Sequence, residues 1–225
     1  MMRNVDDCRT FRLLKTQALR GDAELMWLVG TAYRDGHFRC IGRESDVPVR
    51  RNLRLAVHWL ERAAEKRSTG GMVDLAAVLY QQGLNAKDAE MRRSKFVEAL
   101  RWERCAWRHG ESLAAWNAAI TCSALGRRKA CFKWLCNSYR SGGEDLEAIA
   151  LCYAAGYGVR KDAAKARTLL RKAKRQCHAA AVDSKVVTNL LAKLRRGTSI
   201  EIKEPITRMI GALATENVES SDGFA

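Results

Sequence analysis

Residues 146–173 read LEAIALCYAAGYGVRKDAAKARTLLRKA, and their spacing decides the fold. Leu146, Ile149, Ala150 and Tyr153 fall at i, i+3, i+4 and i+7, one face of an α-helix. Glu144, Asp145 and Glu147 stand at its start, where carboxylates suit the free N–H groups and the positive end of the dipole. Gly156 and Gly158 stop it, because glycine takes left-handed dihedrals without a steric cost. Asp162 is placed to cap a second helix with the apolar face Ala163, Ala166, Leu169, Leu170 and Ala173. The stretch predicts helix, glycine-marked turn, helix.

The same frame recurs upstream. One anchor is Tyr, two residues, then Gly: Tyr33–Gly36, Tyr80–Gly83, a degenerate Ser123–Gly126, and Tyr153–Gly156. The other runs small, large, small: Ala56–Trp59–Ala63, Ala99–Trp102–Ala106, Cys131–Trp134–Ser138 and Ala166–Leu169–Ala173. Successive bulky residues are 43, 32 and 35 apart. A helix pair patterned this way cannot bury its face alone, so copies must stack. The expected fold is an all-α, curved α-solenoid of four helix-turn-helix repeats with capping helices at both ends.

The strings VGTAYRDG, AVHWLERAAEKRSTG and IALCYAAGYGVRKDAAKA resemble the Sel-one-like repeat, a relative of the tetratricopeptide repeat, over roughly residues 21–175. Repeat three departs from the pattern, with Ser123 for Tyr and only five positions from Gly126 to Cys131, so a tighter turn is expected there. Repeats one and two carry longer inserts, His37 to Pro48 and Leu84 to Arg93, expected as loops on one face. The resemblance implies a non-catalytic adaptor or scaffold of bacterial type, binding a partner along the groove lined by the first helices. Some members of the family look like immunity proteins that neutralise a cognate toxin, which gives the alternative.

Composition agrees with an all-α chain: 225 residues, 47% hydrophobic, with two prolines. No run of about 18 apolar residues is present, so no membrane span is expected. The start, MMRNVDDCRTFRLLK, has two acids and no apolar core, unlike a secretory signal, so a cytoplasmic protein is expected. Several of the eight cysteines occupy small-residue packing positions, which reads as buried reduced thiols. The formal charge of +15 is uneven: residues 158–196 hold twelve Lys or Arg against two Asp.

The expected organisation is an N-terminal helix over residues 1–20, a repeat solenoid over 21–175, C-terminal capping helices over 176–214 and a disordered tail over 215–225. The inward stripes expected are Leu25, Leu28, Val29 and Tyr33, then Leu75, Ala76, Leu79 and Tyr80, then Leu113, Trp116, Ala119 and Ile120. Residues 178–196 continue as helix with a wide apolar stripe, and Ile206 to Leu213 make a short amphipathic helix after Pro205.

No catalytic constellation emerges. Cys105 and His109 are four apart on one helix, but nothing in the sequence orients the histidine. His37 and Cys40 share a loop, and two ligands do not make a tetrahedral site. The glycines of AGYGVRKD follow a helix rather than a strand, unlike a phosphate loop. Neither enzyme activity, cofactor nor metal is expected.

The candidate partner-binding residues are the basic cluster Arg171, Lys172, Lys174 and Arg175 with Arg195 and Arg196, and the off-register tryptophans Trp107 and Trp116. Tryptophan and arginine dominate interface hot spots. Trp27 is likewise off register; Trp59, Trp102 and Trp134 belong to the repeat core. The basic cluster implies an acidic partner protein drawn by charge complementarity. Nucleic acid is the weaker alternative, because no aromatic interleaves with those cations along the sequence.

Overall fold

A computed structural model describes residues 5–38, 46–143, 145–179, 185–198, 200 and 202. Among them the fold is all-α apart from one two-residue ladder. The chain divides into two compact units, Met1–Glu111 and Ser112–Ala225.

The first unit holds α1 (Val5–Leu19), α2 (Ala23–Asp35), β1 (His37–Phe38), β2 (Val47–Pro48), α3 (Leu53–Glu65), α4 (Thr69–Asn85) and α5 (Ala89–Arg108). Helices α2 and α3 pair as the first repeat and α4 and α5 as the second, with α1 against α2 and α3 against α4. Polar caps set the starts. The Asp22 carboxylate accepts from the Glu24 and Leu25 amides, and Asn52 does the same for Arg54 and Leu55.

Three sequence expectations are corrected here. The buried stripe of α2 is Met26, Val29, Ala32 and Tyr33, with Leu25 and Leu28 on its flanks. Helices on both sides of α2 widen its apolar face, so a single stripe read from spacing is rotated by one position. The SerThrGlyGly segment at 68–71, which its composition predicts to be the turn closing repeat one, is instead the start of a helix: Ser68 accepts from the Gly71 amide at 3.1 Å and α4 begins at Thr69. Both glycines mark close approach, since a Cβ on Gly71 would lie 2.8 Å from that of Ala63 and one on Gly70 would lie 2.8 Å from the Trp27 ring. The segment 84–93 is mostly helix, because Asp88 caps at Met91 and the residues that follow are strong helix formers.

The insert after α2 is paired at its base. β1 and β2 pair antiparallel, His37 with Pro48 and Phe38 with Val47. Phe38 and Val47 are buried against Ala32, with Phe11, Leu14, Leu28 and Val49 around them. Residues 39–45 lie outside the described residues.

The second unit holds α6 (Leu113–Ala124), α7 (Arg128–Arg140), α8 (Leu146–Ala155), α9 (Ala163–Ala179) and α10 (Lys185–Arg195). Helix α6 pairs with α7 and α8 with α9, while α7 meets α8 and α10 lies on α8 and α9. The turn in repeat three is tighter, as expected: residues 125–127 link α6 to α7, whereas 156–162 link α8 to α9. Gly156 ends α8 at φ 73°. Gly158 does more than turn the chain, because a Cβ there would lie 2.1 Å from the Arg128 carbonyl oxygen.

The stripe expected on α6 is also corrected. Its buried residues include Ala114, Ala115, Ala118 and Ala119, while Leu113 is 54% exposed and Trp116 half-buried. The helix is apolar almost all round, so period alone does not choose a face; alanines take the closest contact and bulkier residues move to the rim. Trp59 is buried as a repeat-core residue, but Trp102 and Trp134 are only half-buried. Val186, Val187 and Leu190 of α10 are buried against the last repeat, which covers its end. Residues 180–184 of the helical span expected at 178–196, the helix expected at 206–213 and the tail from 215 lie outside the described residues.

Candidate partner-binding surfaces

The basic residues singled out by sequence sit on one element and the end of another. Arg171, Lys172, Lys174 and Arg175 are exposed on α9, and Arg195 and Arg196 are exposed at and just past the end of α10. Helices α7, α9 and α10 carry four, six and three lysines or arginines and no acidic residue. None of these cations has an acid to pair with on its own helix. By contrast, Arg34 in the first unit pairs with Asp35 and Asp74, and Lys95 pairs with Glu98.

The structure supplies the aromatics that are absent around these cations in the sequence. Lys172 lies over the ring of Tyr139 on α7 at 5.4 Å, and Lys165 lies over that of Tyr153 on α8 at 4.5 Å. Tyr153 is itself held edge-on by Phe132, with ring centres 5.4 Å apart. Its hydroxyl also pushes the Lys165 ammonium above the usual lysine range. These rings brace lysines, so each has one face already occupied by a cation. Between the two pairs, Cys136 is half-buried and its thiol is pushed up by burial, with Arg140 and Lys165 pulling it back down.

Sequence reasoning missed Lys165, Tyr139 and Tyr153. The signal was a separation: Tyr139 and Lys172 are 33 residues apart, close to one repeat length, which brings a side chain of α9 over one of α7.

Trp116 lines a cavity of about 350 Å³ with Ser112, Leu113, Ser138, Ser141, Gly142, Gly143 and Asp145. Trp107 stands half-buried on α5 in the first unit. Trp27 is not an open anchor: its ring packs on Gly70 and its indole N–H donates to Asp74 at 2.5 Å, beside the Arg34–Asp74 pair.

The pairs weighed for chemistry have ordinary structural surroundings. Cys105 Sγ is 4.0 Å from His109 Nδ1, and the same nitrogen lies 2.9 Å from the Cys105 carbonyl oxygen. A proton on Nδ1 serves that carbonyl, so Nδ1 is not a base for the thiol. His37 pairs with Asp46 at 3.5 Å; Cys40 lies outside the described residues. Among the described residues no cluster of three potential ligands is present, and Cys105, Cys122, Cys131, Cys136 and Cys152 form no disulfide. Burial pushes Cys131 up to about 12 and lifts Cys152 well above the usual thiol range. No described helix is long and apolar enough to cross a membrane.

Stacked antiparallel helix pairs, with small residues at the contacts and glycine at the turns, define an α-helical repeat protein. Two segments, residues 23–68 and 146–176, match the Sel1 repeat, so the chain carries Sel1-like repeats at those positions. It is similar in fold to the crystal structure of a Sel1 repeat protein from Oxalobacter formigenes, with 19% identity, a TM-score of 0.58, and coverage of 94% of this chain and 80% of that one. It also resembles c5321, a protective antigen of uropathogenic Escherichia coli with an SLR fold, at 17% identity and a TM-score of 0.57. That alignment covers 93% of this chain and 48% of the antigen, so the chain spans about half its length. No curated protein sequence matches. Sel1 repeats generally serve as protein–protein interaction modules.

Proposed function

We propose that the chain is a non-catalytic protein-binding module whose second unit engages an acidic partner protein through the face built from α7 and α9. The observation that carries this reading is a single-signed surface whose central lysines, Lys165 and Lys172, rest on Tyr153 and Tyr139. A lysine held against a ring has less side-chain freedom to lose on binding, which favours a fixed pattern of carboxylates. The same bracing disfavours single-stranded nucleic acid, which needs open ring faces for its bases. The partner's identity then separates a scaffold from a toxin neutraliser.

The test is a tagged pull-down under reducing conditions, with nuclease, comparing wild type with Lys165→Glu/Lys172→Glu/Lys174→Glu. These side chains are exposed, so the variant keeps its fold. An acidic protein retained by wild type at near-equal stoichiometry and lost by the variant supports the reading. Capture that vanishes with nuclease overturns it in favour of nucleic acid.

A further inference from the structure

We propose that the cavity beside Trp116 is a binding site for the guanidinium group of an arginine side chain presented by a partner protein. The lining is Ser112, Leu113 and Trp116 from the start of α6, Ser138 and Ser141 from the end of α7, Gly142 and Gly143 from the turn, and Asp145 at the start of α8. Among the described residues that line it, the one ionisable side chain is the Asp145 carboxylate and none is a lysine or arginine, in a chain of net charge +15. The Ser141 hydroxyl hydrogen is directed to the carbonyl oxygens of Ser138, at 2.9 Å, and Asn137, at 3.2 Å, which leaves its oxygen to accept. A Cβ on Gly143 would lie 2.6 Å from Asp145 Oδ2 and 2.8 Å from Ser138 Oγ, so the missing side chain lets these oxygens gather at the turn.

The chemistry of this lining selects its occupant. A carboxylate or phosphate would meet the Asp145 carboxylate and find no cation among the described lining residues. A guanidinium is flat, carries only donors, and stacks on indole while its N–H groups reach carboxylate and hydroxyl oxygens. A lysine ammonium offers the charge without the flat face. The volume, about 350 Å³, lies at the small end of ligand sites and suits one side chain rather than a nucleotide-sized cofactor. The arginine's source rests on the protein-partner reading; the cavity does not, and it uses none of the residues of the α7–α9 face.

The experiment is an amide and indole NMR titration of the full chain with N-acetyl-arginine-methylamide, against the citrulline and glutamate analogues. Saturable shifts at Trp116, Ser138, Ser141, Gly142 and Gly143 are expected with arginine alone. Asp145→Asn should weaken them at least about tenfold, the size of one charge-assisted contact. Leu113→Lys, at an exposed position where folding is not at stake, should weaken them too by placing a like charge at the mouth. Equal affinity for citrulline, preference for glutamate, no saturation, or arginine shifts unchanged in both variants would overturn the proposal. A failed pull-down would leave this titration intact, and a failed titration would leave the pull-down intact.

Discussion

Gly158 and Gly126 have nearly the same left-handed backbone, φ 72° and 69°, yet they are different kinds of glycine. Alanine at 126 meets nothing within 4 Å and carries only the backbone penalty, about 1 kcal/mol. Alanine at 158 would drive its Cβ into the Arg128 carbonyl, so the cost rises to about 3 kcal/mol or more. Urea unfolding of the two variants should separate them by at least the difference. Cys131 supports a second prediction at this scale. Its thiol titrates near 12 when buried and from about 9 in the unfolded chain, so its contribution is complete below pH 9. Between those values the unfolded state alone loses the proton, and stability falls as pH rises. Cys131→Ala should flatten that alkaline decline in thermal melts relative to wild type. The sequence showed that residues 131 and 158 must be small or glycine, but it gave no hint that the neighbour of Gly158 is backbone rather than side chain.

At the scale of elements, repeat three lost its anchor tyrosine and the fold refills the gap from the next repeat. Tyr157, in the turn after α8, shares a buried hydrogen bond with Ser123 at 3.0 Å and carries Arg128 over its ring at 5.5 Å. Tyr157→Phe should therefore cost about 1 kcal/mol, the net worth of one bond, and Tyr157→Ala about 3–5 kcal/mol. Chemical denaturation of both variants checks the ratio. A related prediction concerns α2 and α4, where Asp74 takes both the Trp27 indole and the Arg34 guanidinium. Asp74→Ala should destabilise by about 1–3 kcal/mol, with Trp27 emission shifting as its N–H loses its acceptor. Helix pairing was legible from the Tyr–Gly and small–large–small anchors because both mark contacts made in every copy. The stripe on α6 and the helical start of α5 were not, since one is apolar all round and the other departs from the repeat length.

For the molecule as a whole, charge is distributed unevenly between the two units. The first unit balances its central cation, Arg34, against Asp35 and Asp74, which hold it charged while it lowers the Asp35 carboxyl. The second unit leaves three helices without a single acid. Binding through the α7–α9 face should weaken steeply as salt rises, while urea stability of the chain should change little, because exposed charges are screened and the core is not. Surface charge was legible at once from composition. The tyrosines beneath it were not, because they lie a repeat away in sequence.

The two-rung ladder between His37–Phe38 and Val47–Pro48 has a practical consequence. It pins both ends of the intervening segment before α3 begins, so a change in that segment's length leaves the paired residues on either side in register. Loop-closure entropy grows slowly, by about 0.6 kcal/mol for each doubling of length. A fluorophore or a foreign peptide inserted between the two strands should therefore leave the pairing of α2 with α3 unchanged.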